Sequence, residues 1–299
     1  MPDDEIHDVL GLTTLHEPLP PTSVAADLVF IHGLGGGSRK TWSYSLDRYH
    51  YWPQSWLAND SDFADMRIHS YGYKANWGER QKSIMSIRDF AESLVAELKN
   101  SPSIRRSNTR IIFICHGMGG CIVNKAYIQA REDPTSKALA DRVHSVFFLG
   151  TPHRGSDLAI TLNNLSRITR RTKPFVSDLI PDSSTLWDIT EEFRHYASDL
   201  RLWSFYETRP SKLRMRKKIV VKRGSATLGY PHEEISAMNA DHRQLCKFKS
   251  PKDPNYRLLR NALHTAGDMI RSLPSLDAAP LQTGVTLASA QQDSDQESN

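Results

Sequence analysis

Three short runs of apolar residues, at positions 29–31 (VFI), 111–114 (IIFI) and 146–149 (VFFL), are continuous rather than alternating. A strand that is apolar on both sides must be covered on both sides, as the central strands of a parallel sheet are. Between the runs, positions 84–98 place apolar side chains at helical spacing, which indicates a helix with one buried stripe. This alternation predicts an α/β fold with a mostly parallel central sheet and helices on both faces.

The same pattern sets the expected elements and boundaries. Strands are predicted at 28–32, 67–71, 110–115, 143–149, 201–206 and 218–221, and helices at 84–98, 121–130 and 256–270. From about 155 to 199, polar and helix-like sequence interrupts the strands, which predicts a lid. We therefore expect an N-terminal extension at 1–26, an α/β domain at 27–273 and a disordered tail at 274–299.

Composition limits the class of protein. Of the 299 residues, 39% are hydrophobic and 24% are charged, which excludes disorder for most of the chain. The apolar runs are far shorter than the ~18 residues of a membrane span, and the acidic first six residues lack the pattern of a signal peptide. Three cysteines are too few for a disulfide framework. These features predict a cytoplasmic protein.

The net charge is only +4, but basic residues cluster at 167–173 and 209–223. Such clusters are typical of solvated loops and edge strands, and they also attract anionic membrane surfaces. No sequence signature of a nucleic-acid-binding module is present, so no nucleic-acid partner is predicted. The segment 232–236 (HEEIS) lacks the second histidine of a zinc-protease helix, so no metal site is predicted.

A glycine-rich turn, HGLGGG, follows the first apolar run at positions 32–37. A phosphate-binding loop requires glycine directly before Lys-Ser/Thr, and Arg39 stands at that position before Lys40. A dinucleotide-binding loop requires a third glycine where Ser38 stands. The remaining interpretation is a hydrolase loop in which the backbone N–H of Leu34 binds a carbonyl oxyanion, with glycine allowing close approach of the substrate.

The second apolar run leads into CHGMGG at positions 115–120, read as strand, sharp turn and helix. This spacing matches the nucleophile elbow G-x-S-x-G, whose strained turn raises the nucleophile above the sheet. Cys115 takes the place of the first glycine, and Gly117 takes the place of the serine. Because glycine has no side chain, no acyl-enzyme can form at this position. The backbone N–H of Met118 is the second expected oxyanion donor.

Six ordered blocks carry a wider resemblance. They are GLTTL (11–15), DLVFIHGLGG (27–36), RIHSYGY (67–73), FLGTPHRGS (148–156), SFYET (204–208) and ADHRQLCKF (240–248). In these blocks the chain resembles the PGAP1-like and SERAC1-like branch of the α/β-hydrolases, especially the lipase-like domain at the amino end of many fungal NACHT and ankyrin proteins. The resemblance implies an α/β-hydrolase fold, ester or lipid acyl substrates, no metal and no cofactor.

In this fold the acid and then the histidine follow the nucleophile along the chain. The resemblance places the acid at Glu207, directly after the predicted strand 201–206, with Asp157 as the alternative. It places the general base at His242, for which an ordinary surface histidine is the other interpretation.

Three functional hypotheses follow from a hydrolase site with glycine at the nucleophile position. The domain has lost catalysis and binds a protein partner or lipid, as a signalling module of the fungal NLR type. Alternatively, it is a serine esterase or lipase that is impaired, or was deliberately inactivated, at Gly117. In the third hypothesis, Glu207 and His242 act as a base on water without a covalent intermediate.

Overall fold

The computed structural model describes residues 8–74, 86–154, 183–213, 216–274 and 276. The strands are β1 (Gly11–His16), β2 (Ala26–Ile31), β3 (Met66–Gly72), β4 (Arg110–His116), β5 (Val143–Leu149), β6 (Arg201–Glu207), β7 (Ser211–Leu213), β8 (Arg216–Lys218) and β9 (Glu233–Met238). The helices are α1 (Trp52–Ser55), α2 (Ile87–Asn100), α3 (Pro102–Arg105), α4 (Met118–Glu132), α5 (Lys137–Ala140), α6 (Ser183–Tyr196), α7 (Arg223–Ala226) and α8 (Pro254–Ser272).

The main sheet has the strand order β1-β3-β2-β4-β5-β6-β9, and every neighbouring pair is parallel except β1 with β3. All six residues of β2 are buried, as expected of a strand covered on both faces. Helices α2, α4 and α6 pack on one face, and α1 and α8 pack on the other. The predicted mostly parallel sheet with helices on both faces is confirmed.

Aromatic packing on the face of the sheet that carries α8 anchors the turn that contains His242. Trp42 and Trp52 are fully buried and pack edge-to-face against Phe30 of β2, with ring centroids 5.0 and 5.1 Å away. The indole N–H of Trp52 donates to the carbonyl of Cys246 at 3.0 Å. This bond ties the 3₁₀ turn His242–Cys246 to the core.

The predicted strand at 218–221 is wrong. β8 ends at Lys218 and pairs with β7 in a separate two-stranded antiparallel hairpin. Val220 and Val221 are buried, but their N–H groups donate to the side chain of Glu207 rather than to a neighbouring strand. An apolar run here indicated burial correctly, yet burial of side chains does not require strand pairing.

Two strands of the sheet were not predicted. β9 pairs with β6 at one edge of the sheet, and its sequence EEISAM is half polar and partly exposed, so it lacks a continuous apolar run. β1 pairs with β3 at the other edge and lies within the segment expected to be an extension. Edge strands face solvent on one side, which weakens the sequence pattern that identifies buried strands.

The predicted helices are present with shifted bounds. α4 and α8 extend the predicted 121–130 and 256–270 at both ends. α2 begins after Ser86, which forms a capping box with Asp89; residues 84 and 85 of its predicted range lie outside the described residues. Of the predicted lid, 155–182 lies outside the described residues and α6 lies within the remainder. Among the described residues, no helix combines the length and apolar character needed to cross a membrane.

Candidate active site

β4 and α4 meet in a sharp turn at Gly117, whose backbone has φ +52° and ψ −125°. Its N–H donates to the carbonyl of Leu149 on β5 at 3.0 Å, and its carbonyl accepts from Gly120 at 3.2 Å. A positive φ is unfavourable for residues that carry a Cβ atom, so glycine relieves strain at this position. A strand, a turn with positive φ and a helix therefore follow one another here, in the order predicted from the motif.

His242 lies directly opposite this turn. It begins the 3₁₀ turn after β9 and is only 3% exposed. A Cβ atom placed on Gly117 would lie 3.4 Å from Nε2 of His242, and no other heavy atom outside the adjoining residues would be closer. The hydroxyl of a serine side chain at position 117 would therefore come within reach of the imidazole of His242.

Glu207 ends β6 on the far side of His242 and is 3% exposed. Its Oε1 atom accepts the backbone N–H groups of Val220 at 2.7 Å and Val221 at 2.5 Å. Oε1 lies 3.9 Å from Nδ1 of His242, which is too long for a hydrogen bond. Oε2 of Glu207 and Nδ1 of His242 are both buried without a hydrogen-bond partner.

Burial determines the protonation of this pair. It raises the pKa of Glu207 to about 8, although the two backbone N–H groups act in the opposite direction. Burial also lowers the pKa of His242 well below its usual value, with further contributions from His116 and Arg243. At neutral pH, His242 is therefore neutral, as a general base must be before it accepts a proton.

His116, the residue before Gly117, is a site residue that the sequence reasoning did not single out. Its ring packs against that of His242, with centroids 4.8 Å apart. Burial lowers its pKa to about 4, so the ring is neutral and Nε2–H donates to the carbonyl of His242 at 2.9 Å. Its position in the sequence motif, directly before Gly117, could have identified it as a neighbour of the site.

The two expected oxyanion donors lie on loops that touch each other. A Cβ on Gly33 would lie 2.7 Å from the carbonyl oxygen of His116, and one on Gly119 would lie 2.5 Å from that of His32. The turn carrying Leu34 therefore packs against the elbow at backbone distance. Met118 is the first residue of α4, so its N–H has no acceptor within the helix.

His32 braces the turn that carries Leu34. Its ring stacks on Tyr73 at 4.1 Å, and Nε2 accepts the backbone N–H of Tyr73 at 3.2 Å. Nδ1–H then donates to the carbonyl of Gly33 at 3.0 Å. Burial lowers the pKa of His32 to about 4, which keeps the ring in this neutral form. The turn is thus held before any substrate binds.

Two other acidic residues singled out in the sequence, Asp157 and Glu233, are not assigned to this group of residues. Asp157, the alternative acid, lies outside the described residues. Glu233 of the HEEIS segment lies on β9 and accepts hydrogen bonds from Ser204, Leu228 and Gly229. Among the described residues, no three His, Cys, Asp or Glu side chains form a group suited to a metal ion.

Comparisons with known proteins bear on the family and the fold of the chain. Residues 27–167 match the family described as "Putative serine esterase (DUF676)". Protein SERAC1 of Danio rerio is 30% identical over 249 residues, covering 75% of this chain and 36% of the relative. Protein SERAC1 of Bos taurus is 30% identical over 269 residues, covering 82% of this chain and 39% of the relative. The chain thus spans less than half the length of the curated relatives it matches.

Among solved structures, the mature lipase BlEst2 of Bacillus licheniformis superposes with a TM-score of 0.56 at 16% identity, covering 83% of this chain and 97% of the lipase. This likeness concerns the fold. The chain therefore carries an α/β-hydrolase domain with the architecture of lipases and esterases. Within that class it is a SERAC1-like domain.

Proposed function

We propose that this domain binds ester or lipid acyl substrates at the turn of Gly117 and hydrolyses them far more slowly than a serine hydrolase. The observation that carries the proposal is the position of Gly117: its backbone has the strained elbow conformation, and the space above it faces Nε2 of His242. The surrounding residues fit an acyl-transfer site, but the chain supplies no hydroxyl to attack the carbonyl.

The remaining groups support slow, direct attack by water. Neutral His242 accepts a proton at Nε2 from a water molecule that attacks the ester carbonyl. The N–H groups of Leu34 and Met118 stabilise the oxyanion, a contribution of ~3 kcal/mol for one such donor. Protonated His242 then returns the proton to the leaving alcohol. Without a nucleophile, enzymes of this type retain roughly 10³–10⁴-fold acceleration over water.

The test compares three proteins on p-nitrophenyl butyrate and octanoate: the chain itself, Gly117→Ser and Gly117→Ala. Alanine carries the same Cβ strain as serine but no hydroxyl, so it is the matched control. We expect Gly117→Ser to raise the rate at least a hundredfold, with no gain for Gly117→Ala. A fluorophosphonate probe should add its mass to Gly117→Ser alone, and His242→Ala in that background should remove both effects.

A folded Gly117→Ser variant that neither turns over esters nor reacts with the probe would contradict the proposal. It would favour a second candidate, a binding module of the kind found in fungal NLR proteins. One observation supports that candidate: Glu207 and His242 are 3.9 Å apart, so the acid does not hold the histidine. A location in the reducing cytoplasm is part of both proposals and is supported by the three cysteines, all free and buried.

A further inference from the structure

The segment 208–232 contains eight Lys and Arg residues and no Asp or Glu. Four of these cations lie on or beside the β7–β8 hairpin and are exposed: Arg209, Lys212, Lys217 and Lys218. No ion pair joins any of the four to another described residue. We call these four residues the basic surface.

The hairpin places like charges against each other. Lys212 of β7 is directly opposite Lys217 of β8 in the antiparallel register. Like charges in this position destabilise a hairpin, and a two-stranded ribbon has little stability of its own to offset the repulsion. An anionic partner would remove this repulsion, so the arrangement favours a surface that binds negative charge.

Cations on the α8 face behave differently. Arg260 pairs with Asp60 at 2.7 Å, and Arg271 pairs with Asp65 at 2.8 Å. There, positive charge is neutralised by neighbouring carboxylates and serves the packing of the helix. The basic surface has no such neighbours in its own segment, and its field therefore extends into solvent.

The basic surface lies at the same end of the sheet as the candidate active site. The segment 208–232 starts directly after Glu207, and Ser211 accepts the backbone N–H of His242 at 3.3 Å. The segment then returns to Glu207 through the N–H groups of Val220 and Val221. Whatever binds the basic surface is therefore held beside the carboxyl ends of the strands, close to Glu207 and His242.

We propose that the basic surface docks the domain on an anionic lipid bilayer, with the candidate active site facing the membrane. A bilayer presents many negative headgroups in one plane, which suits cations spread over a short exposed ribbon. Each Lys or Arg near such a surface strengthens binding about fivefold, so three of them account for roughly a hundredfold. This proposal depends on the proposed function in one respect only: a lipid ester in the bilayer would then reach the candidate active site directly.

The test measures binding of the full chain to vesicles of phosphatidylcholine alone and of phosphatidylcholine with about a third phosphatidylserine. We compare the chain with Lys212→Gln/Lys217→Gln/Lys218→Gln. The matched control, Arg105→Gln/Arg106→Gln/Arg201→Gln, removes three exposed cations near the amino ends of β4 and β6. Thermal unfolding checks that all variants are folded.

We expect binding only to the anionic vesicles, weakened roughly a hundredfold in the hairpin variant, nearly unchanged in the control, and lost in 0.5 M salt. If both variants bind anionic vesicles equally more weakly, net charge alone explains the binding, and the proposal is overturned. No binding, or equal binding to neutral vesicles, would also overturn it, as would a DNA oligonucleotide that competes the chain off at matched phosphate concentration. Because no ester is turned over, this result is independent of the Gly117→Ser experiment.

Discussion

Two buried carboxylates at opposite ends of the sheet have opposite surroundings. Asp27, at the start of β2, is fully buried and receives hydrogen bonds from Arg67 at 2.6 Å and from His69 at 2.9 Å, with Arg142 at 3.4 Å. Glu207, at the end of β6, receives two backbone N–H groups on one oxygen, and its other oxygen has no partner.

The pKa values follow these surroundings. For Asp27, burial alone would raise the pKa, but hydrogen bonds from His69 and Arg67 and their charges outweigh it, so the pKa is lowered. For Glu207, burial prevails and raises the pKa to about 8. Similar burial thus accompanies two different sites. At the amino end of the strands the carboxylate is ionised in an ion-pair network, and at the carboxyl end the raised pKa of Glu207 keeps its carboxyl group protonated at neutral pH. Perturbed carboxylates of the second kind are typical of functional sites.

The largest expected effect comes from breaking the network at the amino end. Asp27→Asn removes the buried carboxylate that pairs with Arg67, which then keeps, among the described residues, only the exposed Glu17 at 3.3 Å. We expect a loss of about 3–5 kcal/mol in the free energy of unfolding at pH 7, measured with urea. Because the pKa of Asp27 is lowered on folding, its contribution is complete above about pH 4 and is lost as pH falls further. The difference in the free energy of unfolding between Asp27→Asn and the unchanged protein should therefore be smaller at pH 3 than at pH 7.

Asp65→Asn is the control for this change, because its pair with Arg271 is partly exposed. A loss of less than about 1 kcal/mol is expected there. If both variants lose the same amount, the amino-end network is no stronger than a surface pair, and the comparison fails at that end.

The next effect tests backbone strain at the carboxyl end. Gly150 follows β5 with φ +63°, and a Cβ there would lie 2.7 Å from Cδ1 of Leu245 and 3.0 Å from Nδ1 of His242. Gly150→Ala should cost about 2 kcal/mol of stability through strain and overpacking, measured by urea unfolding. In the Gly117→Ser background it should also lower ester turnover by displacing His242.

Gly224→Ala provides the comparison for Gly150, since a Cβ on Gly224 would meet no atom within 4 Å. We expect it to leave stability unchanged or raise it by a few tenths of a kcal/mol. A Gly150→Ala protein as stable and as active as the Gly224→Ala protein would show that the carboxyl end tolerates a side chain under His242.

The smallest effect, taken over one pH unit, is a change in the pH dependence of the free energy of unfolding. The pKa of Glu207 is raised from its usual 4.5 to about 8 on folding, so between these values the folded state holds a proton that the unfolded state releases. The contribution of Glu207 to the free energy of unfolding should therefore fall as pH rises through this window, by at most about 1.4 kcal/mol per pH unit. Glu207→Gln should remove that slope in urea unfolding at pH 5.5, 6.5 and 7.5.

Glu92→Gln should leave the same slope unchanged, because the carboxylate of Glu92 is mostly exposed beside Arg88. A parallel pH dependence for the Glu207→Gln and parent proteins would mean that Glu207 is ionised in the folded state. The two carboxylates would then differ in their partners but not in their protonation.

Much of the fold was predictable because buried parallel strands leave a strong pattern. The apolar runs at 29–31, 111–114 and 146–149 all lie in central strands of the sheet. Apolar runs did not predict the strands correctly at an exposed edge of the sheet or in a buried loop. β9 is a half-polar edge strand, and Val220 and Val221 are apolar residues buried in a loop, so burial and strand pairing separated in both cases.

The sequence by itself determined which residues occupy the elbow, including the absence of a hydroxyl at Gly117, and the chain order of Glu207 and His242 after it. Only the tertiary structure decided how those groups meet: the 3.9 Å between Glu207 and His242, the ring of His116 against His242, and the N–H groups that hold Glu207. Motif spacing fixes positions along one strand and turn. Distances between groups 13 to 126 residues apart in the chain depend on how helices and loops pack, which no local pattern records.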